Sequence, residues 1–488
     1  MKTILNISIV LCALAFFAAC GNRVVAEKEI TQSPNIIYIL ADDLGYGDVG
    51  FNGQAKFDTP NIDRLAASGM VFKEHYAGST VCAPSRSALL TGMHTGHTVI
   101  RGNKEIMPEG QYPMPAATYT LAEMLKKGGY KTSVFGKWGL GFPTSSGDPN
   151  NQGFDEFFGY NCQRIAHNYF PYHLWQNQEK IMLAGNEGKG QAVYAPDLIH
   201  EKALDFISAN QNTPFFMFYA SPLPHAELLL PERYINPYRQ KFLPESKYQG
   251  IDDGPLFKVS GYGSQPYPHA AFAAMVHHLD TQVGELLDKL EELGMVENTV
   301  VIFTSDNGPH QEGGADPDYF NSNANFKGYK RDLYEGGIHV PMIVRWPAKI
   351  KAGTTTDLIS AFWDIFPTFA DIAQVEIPND LDGISFFPTL VGQQVQQQKH
   401  DYLYWEFHEK GGRQAVRQGK WKAVKYNVLE QPNAPLELYD LSQDEKEQKN
   451  VAASYPEVVA TMESILKKAR TPSDIFTFNQ NFKEKNKN

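Results

Sequence analysis

The residues with the clearest chemical potential lie in VCAPSRSALLTG, residues 81–92. This stretch places Cys82 three positions ahead of Ser85 and four ahead of Arg86, with Pro84 between them. The apolar residues that follow predict a helix that begins within the stretch. A cysteine there is either an ordinary side chain near a helix end or a reactive residue. The second interpretation requires polar residues elsewhere in the chain that could assist it.

Polar residues follow apolar segments at four other places in the chain. Continuous apolar, β-branched segments predict strands buried on both faces of a parallel sheet. Ligands gather at the carboxyl ends of such strands, so the side chains that follow them are candidates for one shared site. The segments are PNIIYIL (34–40) before Asp42 and Asp43, YKTSVF (130–135) before Lys137, PFFMFYA (214–220) before His225, and TVVIFT (299–304) before Asp306 and Asn307. This repeated order predicts an α/β fold with one functional edge.

Other segments complete the expected architecture. Helical periodicity is clearest over 270–293, whereas weak periodicity and many polar residues over 143–196 predict long loops above the functional edge. After residue 400, DYLYWEF, RQAVRQGKWKAVKYN and LELYDL predict an antiparallel sheet, with a closing helix near 456–468. We therefore expect a catalytic domain over 34–400 and a smaller α+β subdomain over 401–488.

Composition limits the possible partners. The 488 residues are 42% hydrophobic, enough for a large core, and the formal net charge is −11. Because phosphate binding draws on clustered Lys and Arg, this balance argues against a nucleic-acid partner. It also disfavours a long basic groove, so an anionic substrate would have to enter a local pocket.

The N-terminus has the pattern of a secretory signal, with Lys2, an apolar run and two alanines before Cys20. The apolar run is too short for a membrane span. A cysteine at this position is typical of bacterial lipoproteins, in which it carries the lipid that anchors the protein to a membrane. The alternative is plain cleavage and a soluble periplasmic protein. We expect a signal peptide over 1–20, a linker over 21–33, and export to the periplasm or outer membrane of a Gram-negative bacterium.

Four cysteines are present, and Cys12 and Cys20 belong to the predicted leader. Cys82 and Cys162 therefore remain for the mature protein. In an oxidising compartment these two could form a disulfide, whereas a chemically converted Cys82 would leave Cys162 as a lone thiol.

Four motifs together resemble those of the type I, formylglycine-dependent sulfatases, in particular the arylsulfatase-like exported enzymes of glycan-degrading bacteria. The motifs are C-x-P-S-R from Cys82 followed by Leu-Thr-Gly, Asp42-Asp43 after the first strand, Ser305-Asp306-Asn307-Gly308, and Tyr334-Glu335-Gly336-Gly337. The resemblance extends from Asn35 to the C-terminal sheet. It implies an alkaline-phosphatase-like α/β sandwich, with a large mixed, mainly parallel sheet flanked by helices and a small C-terminal antiparallel sheet packed with a helix.

The resemblance also implies roles for individual residues. Cys82 would be oxidised to formylglycine by a maturation enzyme, and its hydrate would attack sulfur. One Ca²⁺ would be held by Asp42, Asp43, Asp306, Asn307 and the modified Cys82, and an all-oxygen set suits such a hard cation. The other implied catalytic residues are Arg86, which orients the nucleophile, Lys137 and Lys330, which bind sulfate oxygens, His225, which protonates or positions the leaving oxygen, and Asp306, the activating base.

One position departs from the family pattern. The family commonly has Gly-Lys-Trp-His-Leu-Gly, whereas this chain has Gly139 in place of the histidine. General acid–base catalysis is worth about 10²–10⁴-fold, so an active enzyme should have a substitute. We expect His94 or His97 in this role, with His97 preferred because it lies nearer the polar Arg101-Gly102-Asn103 turn.

The predicted activity is that of a sulfuric ester hydrolase that acts from the end of a glycan on galactose or N-acetylgalactosamine sulfates. The residues predicted to contact this substrate are His97, Arg101, Asn103, His173, His310 and Glu312, with Arg164, Tyr169 and Trp175 as a further wall for a sugar. Two alternatives remain open: a phosphomonoester or phosphonate hydrolase on the same scaffold, and a non-catalytic glycan-binding lipoprotein.

Overall fold

The apolar segments form a large central sheet in the computed structural model, which describes residues 33–252 and 261–478. The described residues belong to one compact unit. The predicted signal peptide, the lipid site Cys20 and nearly all of the predicted linker lie outside the described residues. None of the helices within the described ranges is both long enough and apolar enough to span a bilayer.

The elements of the described ranges follow in chain order. The strands are β1 (Asn35–Ala41), β2 (Met70–Phe72), β3 (His75–Tyr76), β4 (Lys131–Lys137), β5 (Glu156–Tyr160), β6 (His173–Gln176), β7 (Glu179–Met182), β8 (Phe215–Ala220), β9 (Thr299–Ser305), β10 (Met342–Arg345), β11 (Thr354–Thr356), β12 (Ser360–Ala361), β13 (Leu403–Phe407), β14 (Arg413–Gln418), β15 (Trp421–Tyr426) and β16 (Glu437–Asp440). The helices are α1 (Pro60–Ser68), α2 (Cys82–Thr91), α3 (Leu121–Lys127), α4 (Ala195–Ala209), α5 (Glu232–Ile235), α6 (Pro268–Glu292), α7 (Pro317–Phe320), α8 (Glu335–Ile338), α9 (Ile365–Ala373), α10 (Phe387–Leu390) and α11 (Pro456–Lys468).

The central sheet has the strand order β11-β2-β10-β9-β1-β8-β4-β5-β6-β7. Its middle strands β9, β1, β8 and β4 are parallel, and Ile37 lies between Val301 on one side and Met217 on the other. Every residue of β1 is buried, which explains its continuous apolar sequence. Because these strands are parallel, their carboxyl ends lie at the same edge of the sheet.

Helices cover both faces of the sheet because successive strand residues point to opposite sides. Ile37 packs in a core that contains Leu279 of α6. Its neighbour Tyr38 packs on the opposite face against Phe369 of α9. This layered arrangement is the one that alternating strands and helices predicted.

Two parts of the sheet differ from a simple parallel arrangement. Strand β10 pairs antiparallel with β9. The segment 143–196, predicted as loops, also contains β5, which runs parallel to β4, and β6 and β7, which extend the sheet antiparallel. The loop prediction was wrong for these strands because β6 and β7 are short and half-exposed, so the apolar signal of a buried strand is weak there.

Strands β13 to β16 form the predicted C-terminal antiparallel sheet. Helix α11 packs on it through Leu466, which shares a core with Val416. The indole Nε1 of Trp405 donates a 2.9 Å hydrogen bond to the carbonyl oxygen of Ala77. The C-terminal sheet therefore supports the segment that leads into α2 and Cys82.

Candidate active site

Four oxygen-bearing side chains meet where β1 and β9 end. Asp42 and Asp43 follow β1, and Asp306 and Asn307 follow β9, whose last residue lies beside the last residue of β1. The backbone N–H of Asp43 donates to Asp306 Oδ1 (3.1 Å), and Asn307 Nδ2 donates to Asp43 Oδ1 (2.7 Å). All four side chains are buried. Parallel pairing thus brings together residues that are far apart in the chain.

Cys82 lies at the N-terminus of α2, beside this cluster. Its thiol donates to Asp42 Oδ1 over 3.3 Å, and its Sγ is 3.2 Å from Lys137 Nζ. Ser85 holds the helix in place, since its Oγ donates to the carbonyl oxygen of Asp306 (2.6 Å). The side chain at position 82 is therefore buried between a carboxylate and an ammonium group.

Three buried cations balance the three carboxylates. The ion pairs are Arg86 Nη2 with Asp306 Oδ2 (2.9 Å), Lys137 Nζ with Asp42 Oδ2 (2.6 Å), and Lys330 Nζ with Asp43 Oδ2 (2.7 Å). A buried charge is strongly destabilising without a partner, so each cation offsets the cost of burying its carboxylate. When all three carboxylates are ionised, the three negative and three positive groups sum to zero, so a bound dication would leave a positive pocket that attracts an anion.

The ionisation of the cluster follows from burial and from these pairs. Burial and the neighbouring Asp42 carboxylate raise the pKa of Asp306 to about 7. Burial also acts on Asp42, but Lys137 and Arg86 together outweigh it and hold its pKa below the ordinary value. Burial, assisted by Asp42, raises the pKa of the Cys82 thiol well above its usual range. The sulfur is therefore a neutral thiol, which is a weak nucleophile.

His225 follows β8 and contacts the same cluster. Its Nε2 lies 2.9 Å from Lys330 Nζ and 3.2 Å from Asp43 Oδ2. Its Nδ1 is hydrogen-bonded to the carbonyl oxygen of Ala226. Burial lowers the pKa of His225 well below its ordinary value, and Lys330 assists it against the opposing effect of Asp43. The imidazole is therefore neutral, with Nδ1 as donor and Nε2 as acceptor.

The donor set at this edge fits a hard dication. Asp42, Asp43, Cys82 and His225 each offer a ligand atom, and these atoms lie within 4.8 Å of one another. Asn307 Oδ1 is buried and has no hydrogen-bond partner in the part of the chain that the structure describes. A buried oxygen without a donor is costly, and a cation would satisfy it. Carboxylate and amide oxygens suit Ca²⁺ or Mg²⁺ better than softer metals.

Comparison with known proteins decides what this site belongs to. The family model described as Sulfatase matches residues 34–375. The chain belongs to the sulfatase family. A second model, described as N-sulphoglucosamine sulphohydrolase, C-terminal, matches residues 326–472 and so includes the small antiparallel sheet.

Relatives match this sulfatase over most of its length. An N-acetylgalactosamine-6-O-sulfatase of Bacteroides thetaiotaomicron is 29% identical over 96% of this chain and 100% of its own. Human arylsulfatase A is 31% identical over 90% of this chain and 88% of its own. The crystal structure of Ps i-CgsB matches with a TM-score of 0.74 and 28% identity, over 90% of this chain and 92% of that one.

These findings confirm the predicted alkaline-phosphatase-like α/β architecture and the enzyme class. The protein is a sulfuric ester hydrolase. Neither the phosphomonoester or phosphonate alternative nor the non-catalytic glycan-binding alternative is supported by the family match.

Some of the predicted substrate residues of this sulfatase lie beside the cluster. His310 stacks on His225 with ring centroids 5.5 Å apart, but both of its nitrogens are already hydrogen-bonded to backbone groups. The Glu312 carboxylate lies 3.8 Å from Lys330 Nζ. Asn103 Oδ1 accepts from the backbone N–H next to Cys82, over 3.2 Å. Substrate contact stays a prediction for Glu312 and Asn103, whereas His310 has no free nitrogen to offer.

The prediction that His97 or His94 replaces the missing family histidine is wrong. Both follow the C-terminal end of α2, whereas Cys82 begins that helix, and its ten residues span about 15 Å. His97 Nδ1 is hydrogen-bonded to the Asp382 carboxylate (2.9 Å), and His94 Nε2 lies 3.6 Å from it. Proximity in sequence misled the prediction, because the helix carries its two ends to different places.

Arg101 and His173 are also engaged elsewhere. Arg101 is buried, donates to the carbonyl oxygen of Thr471 (2.8 Å) and lies 3.3 Å from Glu406, which ties it to the C-terminal sheet. His173 Nε2 lies 2.9 Å from Glu109 Oε1, at the β6 side of the large sheet. Within the described ranges neither side chain contacts the cluster, so the structure lends no support to the substrate role of Arg101 and His173, which stays a prediction.

The predicted sugar wall consists of side chains that hold loops together. Tyr169 donates to the carbonyl oxygens of Pro222 (2.6 Å) and His225 (2.7 Å), and Trp175 Nε1 donates to Glu109 Oε1 (2.6 Å). Arg164 Nη2 lies 3.4 Å from Glu105 Oε2. The alternative disulfide is not formed either, since both cysteines of the described ranges, at positions 82 and 162, are free.

Two residues near the site were not among the residues predicted from the sequence. Gln163 and His167 lie in residues 161–168, the loop that directly follows β5. Gly139 has a φ of 85°, and a Cβ there would lie 2.6 Å from Gln163 Cγ, so this loop occupies the space of a side chain at position 139. Recognition of β5 would have revealed the loop, because polar residues after a parallel strand gather at the same edge.

Proposed function

We propose that this sulfatase removes sulfate from the end of a glycan by means of a formylglycine made from Cys82 and one bound Ca²⁺. One observation carries the proposal. Cys82 Sγ lies 3.2 Å from Lys137 Nζ and 3.3 Å from Asp42 Oδ1, within a buried group of three carboxylates and three cations.

The state of the thiol supports a modified residue. A buried thiol with a raised pKa is a weak nucleophile, so the cysteine itself is poorly suited to attack sulfur. Formylglycine, as its hydrate, supplies two hydroxyl groups on one carbon, one for attack and one for the later release of sulfate. A formylglycine-generating maturation enzyme is therefore part of the proposal.

The two buried lysines are suited to bind the sulfate group. An ammonium group has three N–H donors. Lys137 Nζ uses one on Asp42 and one on Cys82, and Lys330 Nζ uses one on Asp43 and one on His225. Each lysine thus keeps one donor for a sulfate oxygen. Burial strengthens that attraction, since charges interact more strongly away from water.

The remaining catalytic residues hold or move protons. Arg86 donates to Asp306 Oδ2 from Nε (3.2 Å) and Nη2 (2.9 Å), which orients the proposed base. His225 is proposed to protonate or position the leaving oxygen. Because burial lowers the pKa of His225, its protonated form gives up a proton readily. Its Nε2 accepts a hydrogen bond from Lys330 Nζ (2.9 Å), which fixes the orientation of the ring beside the cluster.

Asp42, Asp43, Asp306 and Asn307 would hold the Ca²⁺. When bound, the ion supplies Lewis-acid polarisation of a sulfate oxygen. The unpaired Oδ1 of Asn307 supports a cation at this place. So does the zero sum of the surrounding charges, because a dication then leaves the pocket positive for a sulfate ester.

The proposed substrates are galactose-type and N-acetylgalactosamine-type sulfates. The Bacteroides thetaiotaomicron relative is named N-acetylgalactosamine-6-O-sulfatase, and the match extends over its whole length. The net charge of −11 disfavours a long polyanion along the surface, which supports action at a chain end.

We also propose export to the periplasm or outer membrane, with lipid on Cys20 as the anchor. The pattern of the N-terminal sequence supports this. Labelling with radioactive palmitate would be expected in the wild-type protein and lost in Cys20→Ala. Equal labelling of both proteins would contradict the anchor.

The test of the activity is a panel of defined sulfated monosaccharides and disaccharides, assayed for released sulfate beside p-nitrophenyl sulfate and p-nitrophenyl phosphate. Cys82→Ala is the matched inactive control. We expect turnover of sulfate esters by protein whose Cys82 peptide has the mass of formylglycine. Preferential hydrolysis of the phosphate, or full activity with an unmodified cysteine, would overturn the proposal.

A further inference from the structure

Three histidine rings stack beside the catalytic cluster, with His225 between the other two. The ring centroids of His167 and His225 are 4.5 Å apart, and their planes meet at 6°. His310 stacks on His225 at 5.5 Å and 19°. The stack joins the loops that follow β5, β8 and β9, so it lies at the same edge of the sheet as the cluster.

Hydrogen bonding distinguishes the three rings. Both nitrogens of His310 are bonded to backbone groups. Those of His225 are engaged by the Ala226 carbonyl oxygen and by Lys330 Nζ. The ring nitrogens of His167 have no partner among the described residues, and its side chain is half-buried. His167 is therefore the ring of the stack that can face a ligand.

The same loop presents further unpaired polar atoms. Gln163 Nε2 is buried without a partner among the described residues, and it lies 2.8 Å from where a Cβ of Gly139 would stand. Asn161 is fully buried, and neither atom of its amide has a hydrogen-bond partner in the described ranges. Buried amides are nearly always satisfied in folded proteins, so unpaired ones beside a reactive cluster indicate a bound polar group.

The surroundings of His167 suit an uncharged, hydroxylated ligand. Burial, the stacked His225 and the buried lysines lower its pKa well below the ordinary value. A neutral imidazole offers one N–H and one lone pair, so it can bind a sugar hydroxyl as donor or as acceptor. The half-buried ring of Tyr262, 5.6 Å from that of His167, adds an aromatic face beside it.

We infer that residues 161–168 form the sugar-binding wall of the active site, in which His167 and Gln163 hydrogen-bond to hydroxyl groups of the sugar that carries the sulfate. This inference rests on the proposed carbohydrate substrate. It assigns to His167 direct contact with substrate, in addition to its stacking on His225.

The test separates contact with substrate from support of His225. His167→Phe keeps a flat ring for stacking but loses both nitrogens, and Gln163→Leu keeps the size but loses the amide. Each change is made in a Cys82→Ala background, in which no turnover occurs. Binding of N-acetylgalactosamine 6-sulfate and galactose 6-sulfate is then measured by calorimetry. His277→Phe is the matched control, because His277 is also half-buried and ring-packed, on α6.

We expect each variant to bind the better probe about fivefold more weakly than the parent, the effect of one lost neutral hydrogen bond, and the control to bind as the parent does. In matured enzyme, the loss of kcat/KM on the sugar should exceed the loss on p-nitrophenyl sulfate, which has no sugar hydroxyls. If the parent binds a probe and both variants bind it equally well, the inference is wrong and the proposed function stands. If the parent binds neither probe and matured enzyme desulfates no sugar, the proposed substrate and the inference fall together.

Discussion

Two stacked histidine pairs in this sulfatase have the same ring spacing and different surroundings. His167 and His225 are 4.5 Å apart between centroids, and so are His94 and His97. The first pair lies beside a buried group of three carboxylates and three cations. The second contacts the single carboxylate of Asp382. The comparison indicates that the surrounding charged groups, rather than a second stacked imidazole, determine whether a histidine can take part in catalysis.

The two pairs also differ in how the chain assembles them. His94 and His97 lie within one short turn, where the backbone N–H of Gly96 donates to His94 Nδ1 over 3.1 Å. His167 and His225 come from loops after different strands and meet only because β5, β4, β8 and β1 are neighbours in the sheet. A local turn satisfies its own polar groups, whereas a convergence of loops can leave polar atoms free for a ligand.

The largest expected effect separates the pairs by activity. We expect His225→Asn to lower kcat on the best sugar sulfate by about 10²–10⁴-fold, because general acid catalysis is worth that much. His97→Asn, the matched change in the other pair, should alter kcat less than about twofold. A comparable loss in both variants would remove the functional distinction.

Cation binding offers a second comparison, because His225 of the first pair and both histidines of the second belong to groups of side chains that could hold a metal ion. We expect Ca²⁺ at 100 times its Kd to stabilise the wild-type protein by about 2.7 kcal/mol, measured by thermal unfolding. Asn307→Ala should lose most of this response, because it removes one oxygen ligand. Asp382→Asn should keep it. Loss of the response in Asp382→Asn would instead place the cation beside His94 and His97.

The pH dependence of stability tests the second pair. Burial lowers the pKa of His94 to about 4, so the folded state stays neutral there while the unfolded chain takes up a proton below its ordinary pKa of 6.5. This histidine therefore destabilises the fold as pH falls from about 6.5 towards 4. Between pH 7 and pH 5 this effect lowers the free energy of unfolding by about 2 kcal/mol.

His94→Phe should reduce the loss of unfolding free energy between pH 7 and pH 5 by that amount, as measured by urea denaturation at the two values. The kcat of this variant at pH 7 should stay close to that of the wild type. An unchanged pH dependence would show that His94 is charged in the folded state.

The smallest expected effect comes from Asp382→Asn. This change weakens the hydrogen bonds to His97 Nδ1 and to the backbone N–H of His94, so the free energy of unfolding should fall by about 1 kcal/mol. Neither kcat nor KM should change. A fall in kcat without a fall in stability would instead connect this pair to catalysis.

The sequence was informative wherever chemistry follows a well-marked strand. The ends of four apolar segments mark the ends of the strands β1, β4, β8 and β9. The polar residues that follow these segments could therefore be placed at one edge of the sheet: Asp42, Lys137, His225 and Asp306. It was uninformative where strands are short or half-exposed. The strand β5 is largely buried, but it has only five residues and these include Glu156 and Gly159, so it was missed, and with it the loop that contains His167.

The amino-acid sequence by itself determined the family, the layered α/β fold and the charged residues at the strand ends, because periodicity and motif spacing are local properties of the chain. Only the tertiary structure decided which histidines meet those charges. His97 is fifteen positions from Cys82 and His167 is eighty-five, yet α2 carries the first away and the sheet brings the second near. Sequence separation fixes the distance between two side chains only within one helix or strand. Between elements, strand pairing determines which side chains meet.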